Sequence, residues 1–202
     1  MIDLEYTNNK NIERYLEVTA YVQDTRPYIL ATQRYIEEYT GRVFRADTVA
    51  SARLYDGNGS QKLTIDDAIE ITTVEVGTDM WGDSFSSVGT SGADRYYTLP
   101  TNNSANELPI TGILLRSRIF INGHANHRIT AKWGYSETPP EDLTWAATVL
   151  ASGMYYANRG ENTGPIKSEK IGEYSVSYGD SQGLKDYDKA MDIINSYRKL
   201  TI

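Results

Sequence analysis

His124 and His127 are the only histidines in the chain, and they stand three residues apart in the stretch NGHANHR. On a helix that spacing could offer two metal ligands from one face. Gly123 and Asn126 flank them, however, and the segment reads as a polar turn between two strands. No nearby run of carboxylates completes a ligand set, so an exposed loop is expected and no metal site. Adjacent acids occur at Glu37-Glu38, Asp66-Asp67 and Glu141-Asp142. Glycoside hydrolysis needs two carboxylates facing each other across a cleft, which adjacency does not supply. Asp66-Asp67 suits a turn before a strand, and Glu141-Asp142 suits the positive end of a helix. Asp56-Gly57-Asn58-Gly59 matches part of a calcium loop but lacks its bidentate Glu, and a hairpin turn explains it better. The chain has no Cys, which excludes disulfides, thiolate zinc sites, iron–sulfur clusters and Cys nucleophiles. Nucleophile-elbow, Walker and dinucleotide-binding patterns are missing as well. No catalytic residue and no cofactor is expected.

The totals point the same way. The 202 residues suffice for one domain with a core, or for a small domain carrying an insertion. A formal net charge of −7 argues against tight binding of a phosphate backbone. No apolar run approaches the ~20 residues of a membrane helix. The opening stretch MIDLEYTNNKNIERYLEV lacks the basic start and apolar core of a secretory signal, so a reducing cytoplasm is expected for folding. Sixteen Tyr against three Phe is a lopsided choice. Tyr joins a large apolar body to a polar tip, which suits half-buried surfaces and interfaces.

The elements alternate in kind along the chain. Asn9 to Leu16 reads as a short helix. DTRPYILATQRYIEEYTGR reads as a longer one, with Asp24 or Thr25 as its cap, Pro27 in its first turn and Gly41 as its stop. Its expected apolar side is Tyr28, Ala31, Tyr35 and Tyr39, widened by Thr32 and Ile36. The period then changes from helical to alternating. ARLYDGNGSQKLTI, IEITTVEV (Ile69 to Val76), RYYTLP, GILLRSRIFING and HRITAKWGY are strand candidates separated by Gly/Ser/Asn-rich links. Trp133 lies on the alternating face of the last and is expected to be buried, whereas Trp81 lies in a Gly/Asp/Ser-rich loop and is expected to be exposed. Helix returns at TPPEDLTWAATVLASGMYYANRG, where Thr138 and Glu141 match a capping box. Asp186 to Leu200 carries apolar residues at three–four spacing and reads as a final amphipathic helix.

Between these last two helices lies KIGEYSVSY, Lys170 to Tyr178, which alternates as one short strand with no adjacent partner. Its main-chain groups must be paired. It either pairs back on its own domain or is added to a neighbour's sheet. The expected fold is therefore α+β: a small helical core of about four helices, an inserted antiparallel sandwich- or barrel-like β block, and one lone strand before the C-terminal helix. The expected division is 1–45 with 135–202 for the helical core, and 46–134 for the β block.

Three stretches carry a family resemblance. ATQRYIEEYTGRVF, Ala31 to Phe44, holds the pattern Tyr39, Gly41, Arg42 and Phe44 at the end of an early helix. ITAKWGYSETPPEDLTWAATVLASGMY, Ile129 to Tyr155, is a strand ending in Gly-Tyr followed by a Pro-started helix. SEKIGEYSVSY, Ser168 to Tyr178, precedes the last helix. Together they resemble the head–tail connector (adaptor, or head-completion) proteins of long-tailed bacteriophages, the gp6-like group. The likeness covers both ends of the chain, and the β-type middle departs from it. It implies a structural virion protein made in the host cytoplasm and placed in the neck. Such a protein forms a ring under the portal, extends the DNA channel and gives a tail or stopper protein its dock. The implied partners are the portal, further copies of the chain, the tail or stopper protein, and packaged DNA passing without specific binding. A membrane is not implied, and neither is catalysis. The resemblance assigns helix packing to Tyr39, Gly41, Arg42 and Phe44. It sharpens the strand into an expected portal or inter-subunit contact comprising Lys170, Ile171, Gly172, Glu173, Tyr174, Ser175, Val176, Ser177 and Tyr178. The alternative is a β-domain binding module, for carbohydrate or a tail component, on a helical stalk.

Overall fold

The computed structural model describes residues 5–17, 25–159, 167–171, 174–178 and 181–199. The chain divides into two compact units: Met1–Arg42 with Pro139–Ile202, and Val43–Thr138. The first is built of helices and a two-stranded sheet, the second of a six-stranded antiparallel sheet that does not close into a barrel. The class is α+β.

In the helical unit, α1 (Asn9–Tyr15) starts at Asn8, whose side chain accepts from the Asn11 N–H. This satisfies one of the donors that a helix start leaves unpaired. Helix α2 (Arg26–Thr40) takes Pro27 in its first turn and ends at Gly41 in the left-handed region, φ 68°, with the Gly41 N–H on the Glu37 carbonyl. Its buried side is Ile29, Thr32, Ile36 and Thr40: Thr32 and Ile36 lie on the expected side, but the stripe is centred on them and not on the tyrosines. The tyrosines instead flank that stripe, half-buried, with the Tyr39 hydroxyl on Asn195 Oδ1 and that of Tyr35 facing the Met191 sulfur. Tyrosine favours such a margin because full burial would cost its hydroxyl a water partner. Helix α3 (Glu141–Arg159) begins after Pro139 and Pro140 rather than enclosing them. It buries Leu143, Ala146, Ala147, Val149, Leu150, Ala151, Met154 and Tyr155, so it forms the centre of this unit. Helix α4 (Ser181–Ser196) starts five residues before the expected Asp186.

The six strands of the β unit are β1 (Ser51–Gly57), β2 (Lys62–Gly77), β3 (Phe85–Val88), β4 (Tyr96–Leu99), β5 (Ile110–Leu115) and β6 (Gly123–Trp133). Their order is β1-β6-β2-β5-β4, with β3 also paired to β2. Asp56–Gly59 therefore does not close a hairpin, because β6 lies between β1 and β2 and pairs with both. Strand β2 is one 16-residue strand where the sequence suggests two runs. Its inward phase changes partway: Leu63 and Ile65 are buried, then Ala68, Val74 and Val76. Register shifts against β6 fall at Ala68/Glu70 and Ile71/Thr73. An extra residue at a bulge flips which side chains face inward, which strict alternation cannot foresee. The core gathers Leu63, Ile65, Val74, Ile113, Leu115, Phe120, Ile129 and Trp133.

The expected lone strand is a hairpin. Strands β7 (Lys167–Ile171) and β8 (Tyr174–Tyr178) pair antiparallel from Lys167↔Tyr178 to Ile171↔Tyr174. KIGEYSVSY thus holds the end of one strand and the whole of the next. The two positions between them, Gly172 and Glu173, lie outside the described residues. Alternation alone does not distinguish one strand from two that follow each other closely in the chain.

Candidate assembly interface

The expected contact residues from Lys170 to Tyr178 are thus a backbone hairpin, and β8 runs alongside α3. Among the described residues each strand of this two-stranded sheet keeps one outer edge, and an outer edge carries main-chain groups that an added strand can pair with.

The helix-end motif is placed as follows. Tyr39 stacks on Tyr35 with centroids 5.9 Å apart and donates to Asn195 Oδ1 at 3.4 Å. Arg42 donates from Nε to the Tyr197 carbonyl at 2.7 Å, and the Lys199 N–H bonds the Thr40 carbonyl at 2.8 Å. The end of α2 is thereby tied to the segment that follows α4. Phe44 belongs to the β unit, where it is fully buried against Tyr135, with centroids 5.4 Å apart.

The two histidines take opposite roles. His124 is exposed and sits 2.9 Å from Asp56 Oδ1. His127, expected in an exposed loop, is fully buried within β6. The Gly77 N–H donates to its Nδ1 at 3.2 Å, so Nε2 carries the proton toward the Ile121 carbonyl at 3.1 Å. Burial holds its pKa below the ordinary value. Among the described residues no group of three or more His, Asp or Glu could hold a metal ion. No helix among them is long and apolar enough to cross a membrane.

Beside His127 lies a residue that sequence reasoning missed. Asn126 is fully buried and joins three loops. Its Oδ1 accepts from the Gly57 N–H at 3.0 Å, and its Nδ2 donates to the carbonyls of Ile121 at 3.0 Å and Asp79 at 3.2 Å. The strands approach so closely here that side chains are shut out. A Cβ on Gly57 would stand 1.7 Å from the Ile121 carbonyl oxygen, and one on Gly77 would stand 2.1 Å from that of Asn126.

Asn126 also supports the loop of Thr78–Ser84. There the Asp79 carboxylate accepts from the N–H groups of Trp81 at 2.9 Å, Asp83 at 3.2 Å and Ser84 at 3.2 Å. These bonds hold its pKa below the usual carboxylate range, the Trp81 N–H most of all. The Asp79-to-Gly82 spacing is the available signal for such a side-chain-closed turn. The loop leaves Trp81 75% and Met80 54% exposed. Trp133, by contrast, is buried and donates to the Ser51 carbonyl at 2.9 Å, with the Arg53 guanidinium 4.4 Å from its ring centroid.

No family model matches the sequence, and no curated protein matches it. Solved structures share the fold, two neck chains among them. One is a chain in the neck of an empty gene transfer agent (GTA) particle, computed with C6 symmetry. It is 14% identical, with a TM-score of 0.53 over 96% of this chain and 89% of that one. The other is a chain in the neck of a native GTA particle, computed with C12 symmetry. It is 12% identical, with a TM-score of 0.51 over 96% of this chain and 88% of that one. The likeness spans both units.

Proposed function

We propose that this chain is a structural neck protein of a phage-like particle. Copies of it form a ring under the portal, extend the DNA channel and present a docking face to the tail or a stopper protein. One observation carries this reading: the fold is shared from end to end, β unit included, with chains from GTA necks. The three connector-like stretches support it independently. The role is mechanical, without catalysis. The net charge of −7 suits a channel wall, because like charge disfavours adhesion of the phosphate backbone. The β7–β8 hairpin is the proposed contact with the portal or the next copy, through main-chain pairing at its outer edge.

Electron microscopy of particles carrying the tagged chain tests the location: density at the head–tail junction is expected, and its absence there overturns the reading. Val176→Pro tests the hairpin, since Pro cannot donate to a strand ladder. The helical unit is expected to fold, with heads left unjoined to tails. Normal joining would remove the hairpin from the assembly surface.

Trp81 favours a second reading, a carbohydrate-binding β unit, because an exposed indole face stacks on sugars. A glycan array without hits on folded protein would dispose of it.

A further inference from the structure

The Met80–Trp81 loop has no part in the hairpin contact, yet its main chain is tied down while its two large apolar side chains stay exposed. An exposed indole on a loose loop would lose much entropy on binding. Here the backbone beneath it is already fixed. Asp79 gathers three N–H groups, and the Thr78 N–H closes the loop onto the Ser84 carbonyl at 3.1 Å. Asn126 and the His124 N–H hold the carbonyls of Asp79 and Met80 from outside, both at 3.2 Å. The indole itself makes no hydrogen bond or ring contact among the described residues. A preorganised Trp with an adjacent Met is the composition of an interface anchor. The loop and the segments that hold it, residues 56–60, 78–84 and 121–126, carry Asp56, Asp79, Asp83 and His124 and neither Lys nor Arg; guanidiniums begin only at β3, with Arg128 over Phe85 and Arg118 on Ser86.

The β4 edge of the sheet has the complementary chemistry. Strand β4 is an edge strand, and its Tyr97 is 41% exposed. The Arg95 guanidinium lies 5.0 Å from the Tyr97 ring centroid and donates to its hydroxyl at 2.8 Å. The exposed Arg116 adjoins Arg95 through a main-chain bond of 2.9 Å. Lys62 is in register with Leu114, which is in register with Tyr97. Arg118, whose guanidinium also donates to Ser86 of β3 at 3.0 Å, and the 48% exposed Ile119 follow. Among the described residues, Asp94 is the one carboxylate paired with any of these four cations, and it takes Arg118. On an acidic chain this is a concentrated basic and aromatic edge.

We infer that the Met80–Trp81 loop of one copy docks on the Arg95–Tyr97–Arg116 edge of a second copy, with the indole against the guanidinium and Tyr faces and Asp83 toward Arg116. Two different patches on one chain make a head-to-tail contact, which closes into a ring when the rotation permits. A guanidinium over an indole and a carboxylate beside it supply both attraction and register. The inference rests on the ring reading above and names one of its contacts.

The test places a photo-crosslinking residue at Met80 in a one-to-one mixture of light and ¹⁵N-labelled full chain. Both the concentrated pure chain and assembled particles are irradiated. Crosslinked peptides of mixed isotope joining position 80 to 95–97 or 114–119 are expected. Trp81→Ala and Arg116→Glu should each lower their yield at least tenfold, and Asp83→Arg with Arg116→Asp should restore it. Both sites are exposed, and an unchanged thermal melt excludes misfolding as the cause. Crosslinks of one isotope only, crosslinks to another segment or another protein, or no crosslink in particles that carry the chain in their necks would each overturn the inference while leaving the ring reading standing. Particles lacking the chain in their necks would sink the ring reading, and the pure-chain crosslinks would then decide the contact alone.

Discussion

In the helical unit, tyrosine hydroxyls join elements far apart in the chain. Tyr6 donates to Glu37 at 2.6 Å, Tyr15 to Asp186 at 2.9 Å, and Tyr197 to Asp142 at 2.9 Å. Tyr39 reaches Asn195. In the β unit the comparable task falls to buried groups, Asn126 above all with His127 and Trp133 beside it, and Asn126 packs where glycines let backbones touch. The first arrangement is distributed and half-wet, so each bond can exchange with water. The second is concentrated and dry, so losing a partner leaves buried groups unpaired. Bonds at part-exposed sites contribute roughly 0.5–1.5 kcal/mol each, whereas an unsatisfied buried group costs roughly 1–3 kcal/mol.

That contrast can be broken or sharpened by substitution. The largest effect is expected from Gly57→Ala, whose methyl would meet the Ile121 carbonyl and must push strands apart. A loss of about 3 kcal/mol or more is expected in urea unfolding, the upper range of overpacking. Retention of full stability would show that the strand ends are not closely fitted. Asn126→Ala comes next, with a loss of about 2–3 kcal/mol from three orphaned groups. Loosening of the Trp81 loop, read as faster amide exchange at Trp81 and Asp83, should accompany it.

Third is a pH effect. Burial holds the His127 imidazole below its ordinary 6.5. The folded chain therefore keeps it neutral where the unfolded chain protonates it. Its contribution is fully present above about 6.5 and is lost as pH falls below that value. Urea midpoints at pH 7.5 and pH 5.5 should differ more in the parent chain than in His127→Gln. Equal differences would mean that His127 does not titrate differently on folding. The smallest effect is Tyr197→Phe in the helical unit, a loss of about 0.5–1 kcal/mol, because its partner Asp142 is exposed to water. A loss as large as that of Asn126→Ala would erase the contrast between the two units.

Legibility in the sequence followed the range of the forces. The stop of α2 at Gly41 was readable because a left-handed residue is a local requirement met by Gly. The burial of Trp133 and the exposure of Trp81 followed from alternation and loop composition. For α2 the spacing finds Thr32 and Ile36 but centres the stripe on the tyrosines, since periodicity does not say which of two neighbouring stripes faces the core. His127 looked exposed because Gly and Asn surround it, and those same residues turned out to make the close packing that buries it. Asn126 had no signal at all. Its three partners lie 5 to 69 residues away.

By itself the sequence determined the kinds of element, their order and the lack of a thiol or a catalytic motif, because propensity, capping and composition act over a few residues. Only the tertiary structure decided that β6 runs between β1 and β2, that the strand before the last helix is half of a hairpin, and that Trp81 stands on a fixed loop. Strand pairing and buried hydrogen bonds join residues that are distant in the chain, and no local pattern records which partner each of them will find.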